Sequence, residues 1–369
     1  MRMDDNGLIE LRRDIHRWPE LASGEKRTAA LVADRLRAAG LEVTTGVGGH
    51  GVVGVLHGDE PGPAVAYRAD LDAVPDTETF DSDFRSRVPG AAHLCGHDIH
   101  TTIAVGAAEE LCRVRPARGR VVFIFQPAEE NLTGARAMID DGLLDRTKPQ
   151  EIYALHCAPI PVGTFVVTPG AGLPGQDHCR ISLPAVGGER IVAAVNALST
   201  VRRPQTPEQL QQLMQDLATP DGPLSRYVYM QSFADADSVA AWWRAWPDER
   251  YPEIRAELRR LADGAAIEFP APPFPAMVSS PELSLGAAES LRAVGEVATL
   301  RAAYPFNGED FALFLRRVPG AMIFLGVANE AVGLHGMTHA TDFGADERAI
   351  GIGVRAVVGL LSDRLAAIS

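Results

Sequence analysis

The sequence predicts an α/β domain interrupted by a second, inserted domain, and three observations carry that reading. Strand-like and helical runs alternate over residues 7–156, residues 176–275 have a different character, and the alternation resumes after them. A single hydrophobic core stops growing near roughly 250–300 residues. A chain of 369 residues is therefore expected to divide in two.

The elements follow in order. Leu8, Leu11 and Ile15 recur at helical spacing, as do Ala29, Leu31, Val32, Leu36 and Ala39 in a second run closed by Gly40. Strands are expected at 51–57 and 64–67, a helix at 101–114, and a fully apolar buried strand at 120–126. A helix at 133–144 and a strand at 151–156 complete the first part. Such alternation suggests a sheet covered on both faces. The middle holds a helical run at 189–201, a Pro/Gln-rich patch at 202–216 and a Trp-bearing segment at 239–246. The Pro-rich string 269–275 reads as a linker. Helices at 281–294 and 309–316, a strand at 321–326 and a helix at 346–367 close the chain. The expected division is 1–175 and 276–369 for one domain and 176–275 for the insert.

Composition removes several classes. Hydrophobic residues make up 46% and charged residues 22%, so a large core can form. Lys and Arg number 35 against 48 Asp and Glu, a net charge of −13. That balance repels phosphate backbones, so nucleic acid is not an expected partner. No run approaches the roughly 18 apolar residues of a membrane span. The opening Met-Arg-Met-Asp-Asp-Asn has charges where a signal peptide is apolar, so a cytoplasmic location is expected. Cys95, Cys112, Cys157 and Cys179 then read as thiols or ligands and not as a disulfide frame.

Polar clusters fall where strands end, the place where open α/β sheets bind ligands. Asp70 and Asp72 follow one strand, and the string Cys95-Gly-His97-Asp-Ile-His100 precedes a helix. Glu129 and Glu130 follow the 120–126 strand, His156 closes another, and His335, His339 and Asp342 follow a late one. Thiolate, imidazole and carboxylate together suit zinc or a similar divalent ion. Of the adjacent acids, one can bind metal while the other exchanges a proton with water. Five candidate ligands exceed one tetrahedral centre, so two ions sharing a ligand are expected. Taken singly, each residue has an ordinary explanation; their recurrence at successive strand ends favours the metal.

These strings resemble the M20 metallopeptidases, in the branch of aminoacylases, hippurate hydrolases and auxin-conjugate hydrolases. The likeness runs in order through residues 12–20 (Arg-Arg-Asp-Ile-His-Arg-Trp-Pro-Glu), 68–75, 95–100, 125–130, 138–143, 154–156, 308–311 and 318–326. It implies a catalytic domain with a mostly parallel sheet flanked by helices, and a smaller α+β lid through which a homodimer can form. It implies Cys95, His97, Glu130, His156 and one late histidine as ligands of two divalent ions, zinc first, with Mn, Co or Ni as alternatives. His339 fits the family's spacing to Phe343 better than His335 does. The resemblance implies Glu129 as general base and Asp72 as a carboxylate that orients a ligand. The implied reaction is hydrolysis of an N-acyl amino acid or related small amide by a metal-activated water.

The lid departs from the family. Gly187 and Gly188 run into Glu189 where relatives carry a histidine-bearing loop, and no histidine lies between His178 and His335. His178, Arg202 and Arg203 are the available substitutes. The change leaves room for a lyase, cyclase or condensing reaction on the same metals, or for a silent metal-binding relative.

Overall fold

The computed structural model describes residues 5–182 and 188–368. The lid junction at Gly187 therefore lies outside the described residues. Contacts divide the chain into two units.

The first unit comprises residues 5–167, 280–298 and 313–368. It opens with helices α1 (Asp5–Arg17) and α2 (Lys26–Ala39), which the sequence reads as two apolar stripes. Strands β1 (Glu42–Val47), β2 (Gly51–His57) and β3 (Glu60–Asp70) follow, then α3 (His97–Arg113) and β4 (Arg118–Gln126). Next come α4 (Gly134–Asp140), α5 (Leu143–Thr147), β5 (Glu151–Pro161) and β6 (Thr164–Val167). After the inserted unit come α6 (Pro281–Leu291), β7 (Glu296–Thr299), β8 (Gly320–Ala328) and α7 (Arg348–Ala367).

The sheet order is β1-β2-β4-β3-β5-β8-β6-β7. Its centre, β4-β3-β5-β8, is parallel, and β1, β2 and β6 pair antiparallel. The central strands are buried on both faces, which is why Val121–Phe125 is an unbroken apolar run without alternation. Helix α3 is buried over most of its length, and its middle stretch, 103–108, reads accordingly as small and aliphatic residues only. From β3 the chain moves first to β4 on one side and then to β5 on the other. The two connections leave a crevice at the carboxyl end of β3, the switch point at which such sheets bind ligands.

The second unit comprises residues 168–279 and 299–312. Its antiparallel sheet places strands Ile267–Glu268, Asp177–Ser182, Ser238–Trp246 and Tyr227–Ala234 side by side. Buried Trp243 sits in a core with Cys179, Ile181, Met230 and Leu258.

Two expectations are corrected here, and one helix is added. The expected 276–369 stretch is not all of one unit: Arg301 N–H donates to Leu217 O (2.7 Å) and Tyr227 Oη to Ala303 O (2.9 Å), which ties 299–312 to the second. The Pro/Gln-rich patch contains a helix, Pro207–Ala218, capped by Thr206. The Pro-rich string read as a linker is anchored, since Phe274 and Gln176 exchange both backbone hydrogen bonds. Among the described residues no helix is long and apolar enough to cross a membrane.

Candidate metal centre

The parallel register lays Asp70 beside Gln126, so the loops leaving β3 and β4 emerge together. Pairing between β3 and β5 ends at Arg68 with Ala154, two residues before His156. The backbone of β5 beyond that point is released from β3, and the amide of Cys157 donates instead to His100 Nε2 (2.8 Å).

Helix α3 starts against this edge. Gly96, its N-cap, has φ 89°, and a Cβ there would lie 2.8 Å from Cys157 Sγ. Only glycine fits, and it sets Cys95 and His97 on either side of the turn. Thr101 Oγ1 donates to Asp70 O (2.6 Å), docking the first turn onto the end of β3.

The side chains converge from these points. Cys95 Sγ lies 3.4 Å from His156 Nε2. His97 Nε2 lies 3.7 Å from Glu130 Oε1 and 3.9 Å from Glu129 Oε2. His339 Nε2 lies 3.6 Å from Glu130 Oε1. One triad of mutually close ligand atoms is Cys95, His97 and His156; another is Cys95, Glu130 and His339. The two share the thiol. His335 is exposed and belongs to neither. His339 takes a left-handed backbone (φ 61°), and its amide donates to Leu94 O (2.8 Å), which holds the late loop beside Cys95.

Protonation patterns fit metal binding. His97 gives its Nδ1 proton to Asp72 O (2.8 Å) and His156 gives its own to Cys157 O (2.8 Å). Each ring thus turns its Nε2 inward, and the neutral ring offers its lone pair there, as a ligand must. His97 Nε2 and Glu130 Oε1 are buried without a hydrogen-bond partner, a costly state that a cation would relieve. His100 differs. Its Nε2 accepts from Cys157 N, so its Nδ1 carries the proton donated to Asp70 Oδ1 (2.7 Å), and it has no lone pair left for a metal. Asp70 is held further by Arg68 Nη1 (2.6 Å), and Asp72 Oδ2 accepts from the amide of Glu130 (2.9 Å). Sequence reading missed the part played by His100 and Arg68; both lie inside the matched strings, but only the contacts define their roles.

Charge in the cluster is balanced by protons when no cation is present. Burial and the carboxylates of Glu130 and Glu129 push the Cys95 thiol well above its usual range. Burial lowers the pKa of His97, but Asp70, Asp72 and Glu130 outweigh it and raise the ring to about 10. Burial, with Asp72 and Asp70 and against His97, lifts Glu130 to about 7. Burial and neighbouring His100 hold His156 well below its usual value. A bound cation reverses this logic by taking the place of those protons.

Of the residues expected to substitute for the lid histidine, His178 and Arg202 are exposed, and Arg203 Nε donates to Tyr229 Oη (3.2 Å).

A thiol, imidazoles and carboxylates gathered at the carboxyl ends of parallel strands define a metallohydrolase type of site. The family model for peptidase family M20/M25/M40 matches residues 66–363. The chain belongs to that family, whose members named below include hydrolases of amide bonds. An N-acetyldiaminopimelate deacetylase of Enterococcus faecalis is 28% identical over 387 residues, covering 97% of this chain and 98% of the relative. A putative glutamate–cysteine ligase of Rhodococcus jostii is 33% identical over 380 residues, covering 97% of this chain. The chain spans about half the length of that relative (47%). Among solved structures, a dinuclear metal-binding M20 peptidase of Bacillus subtilis is 27% identical, with a TM-score of 0.78 and 99% of both chains covered.

Proposed function

We propose that the chain hydrolyses the amide bond of an N-acyl amino acid or a related small amide at a two-zinc centre, with Glu129 as general base. The observation that carries this reading is the pair of triads sharing Cys95 Sγ. Cys95, His97 and His156 would hold one ion, and Cys95, Glu130 and His339 would hold the other. When bound, such ions lower the pKa of water towards about 7 and polarise an amide carbonyl.

The chain's own residues do the rest. Glu129 stands in neither triad, is buried, and keeps Oε2 within 3.9 Å of His97 Nε2. It takes the proton of the attacking water and delivers it to the leaving nitrogen. Asp72 fixes both sides of the centre, accepting from the Glu130 amide while its own carbonyl orients His97. The deacetylase relative's name supports an N-acyl amino acid as the substrate class.

The test is a panel of N-acetyl, N-benzoyl and longer N-acyl amino acids, offered with Zn, Mn or Co. Cleavage should give an acid and an amine whose masses sum to substrate plus water. No cleavage across the panel, or products that keep the substrate's mass, would overturn the reading.

A second expectation separates the late histidines. His339→Ala should lower bound zinc from two equivalents to about one, and His335→Ala should leave both. Metal analysis after desalting reads the difference directly.

A further inference from the structure

We propose that Glu25 is a positioning residue: its carboxylate holds the Ala128 amide and so sets the left-handed turn that aims Glu129 and Glu130 into the centre. The inference rests on the reading of that centre given above and adds a residue that reading does not use.

Glu25 is fully buried and occupies the N-cap position of α2. A polar side chain there ordinarily bonds the amides of the second or third helical residue. Glu25 does not cap its own helix. Glu20 does that instead, accepting from Arg27 N (2.9 Å) and from Thr28 N and Oγ1 (2.8 and 2.9 Å). Glu25 is thereby released to reach across the fold. Its Oε1 accepts from Ser23 N (2.8 Å) and from Ala128 N (2.8 Å), 103 residues away.

The amide it holds belongs to a residue under strain. Ala128 has φ 52°, a region that residues with a Cβ avoid. The turn persists because several contacts fix it. Thr133 N and Gly134 N both donate to Ala128 O (3.2 and 3.1 Å), and a Cβ at Gly134 would meet Pro127 O at 1.6 Å. Two carboxylates then hold alternate amides of the loop, Glu25 at Ala128 and Asp72 at Glu130 (2.9 Å), with Glu129 between them. Helix capping explains none of this for Glu25, and its other oxygen, Oε2, is buried without a hydrogen-bond partner. A buried carboxylate that leaves its own helix for a strained amide beside two site acids is placed for that amide.

Three variants separate reach from charge. Glu25→Gln keeps an acceptor at the same distance without the charge; Glu25→Asp keeps the charge and loses the reach; Glu25→Ala loses both. Hydrogen exchange at Ala128 N, measured on metal-free protein, should be slow in wild type and Glu25→Gln and at least tenfold faster in the other two. Zinc titration should show the Glu130-bearing site weakened by about 10–100-fold in Glu25→Asp and Glu25→Ala, with the Cys95–His97–His156 site little changed. In the same two variants kcat should fall at least tenfold, KM should stay within about threefold, and Glu25→Gln should restore all three readouts.

Unchanged exchange and two wild-type zinc affinities in Glu25→Asp would overturn the proposal. So would equal damage in Glu25→Gln and Glu25→Asp, or equal weakening of both zinc sites. If Glu25→Ala does not fold, the Gln and Asp pair decides alone. Wild-type protein that binds fewer than two zinc ions would instead overturn the reading of the centre, and the exchange result would still decide the role of Glu25 in the turn.

Discussion

Glu129→Gln is expected to lower kcat by about 10²–10⁴-fold while both zinc ions stay bound. The amide has the size of the carboxylate but takes up no proton at neutral pH, so only the proton transfer is removed. The loss corresponds to about 3–5 kcal/mol of transition-state stabilisation. Metal content should not move, because the two triads that share Cys95 hold the ions without Glu129, although its carboxylate also lies close to His97 and Glu130 and to Glu309 and Asp310. KM should change little, since the variant keeps the shape of the site. Steady-state kinetics alongside metal analysis on one preparation separates the cases. Loss of turnover with loss of zinc would make Glu129 a ligand; retained turnover would leave the site without its base.

Much of this arrangement is legible in the sequence, for a physical reason. Strands buried on both faces must be continuously apolar, so 120–126 announces itself, and the polar residues just beyond it are conspicuous by contrast. Edge strand β1 is mostly exposed and, among the described residues, pairs only with β2, so Glu42–Val47 lacks both an apolar run and a clean alternation. The helix at Pro207–Ala218 does carry Leu210, Leu213 and Leu217 at helical spacing, but the surrounding Pro and Gln residues obscure it.

Side-chain roles are legible only where chemistry, and not contact, decides them. Cys95, His97 and Glu130 are ligand types in ligand company. His100 is the same type three residues after His97, and only the release of β5 from β3, which gives the Cys157 amide to its Nε2, removes it from the set. Glu25 reads as an ordinary helix-start acid, because the amide it holds lies far along the chain. The same limit applies to the 299–312 stretch, whose place in the second unit depends on bonds to Leu217 and Tyr227.

Cys95→Ala is expected to empty both metal positions, since Cys95 Sγ is the atom the two triads share. Outer contacts of a metal site are worth about 10–100-fold in affinity, so losing a direct ligand should weaken each site by more than about 100-fold. The dependence on pH follows from the same atoms. Without metal, the Cys95 thiol is pushed well above its usual range and His97 is raised to about 10, so both carry protons at neutral pH. His156 is held well below its usual value and has none to lose from Nε2. An ion entering the Cys95–His97–His156 site must displace the two protons, so its apparent affinity should rise with pH between about 6 and 8, by roughly tenfold per unit for each proton released. Above the pKa of His97 the slope should fall to that of the thiol proton alone. Zinc competition against a chromophoric chelator at several pH values measures the slope, and Cys95→Ala should flatten it by removing one of the two protons. An affinity that does not change with pH would mean that neither the thiol nor the imidazolium gives way to the ion, and the shared-thiol centre would fall with it.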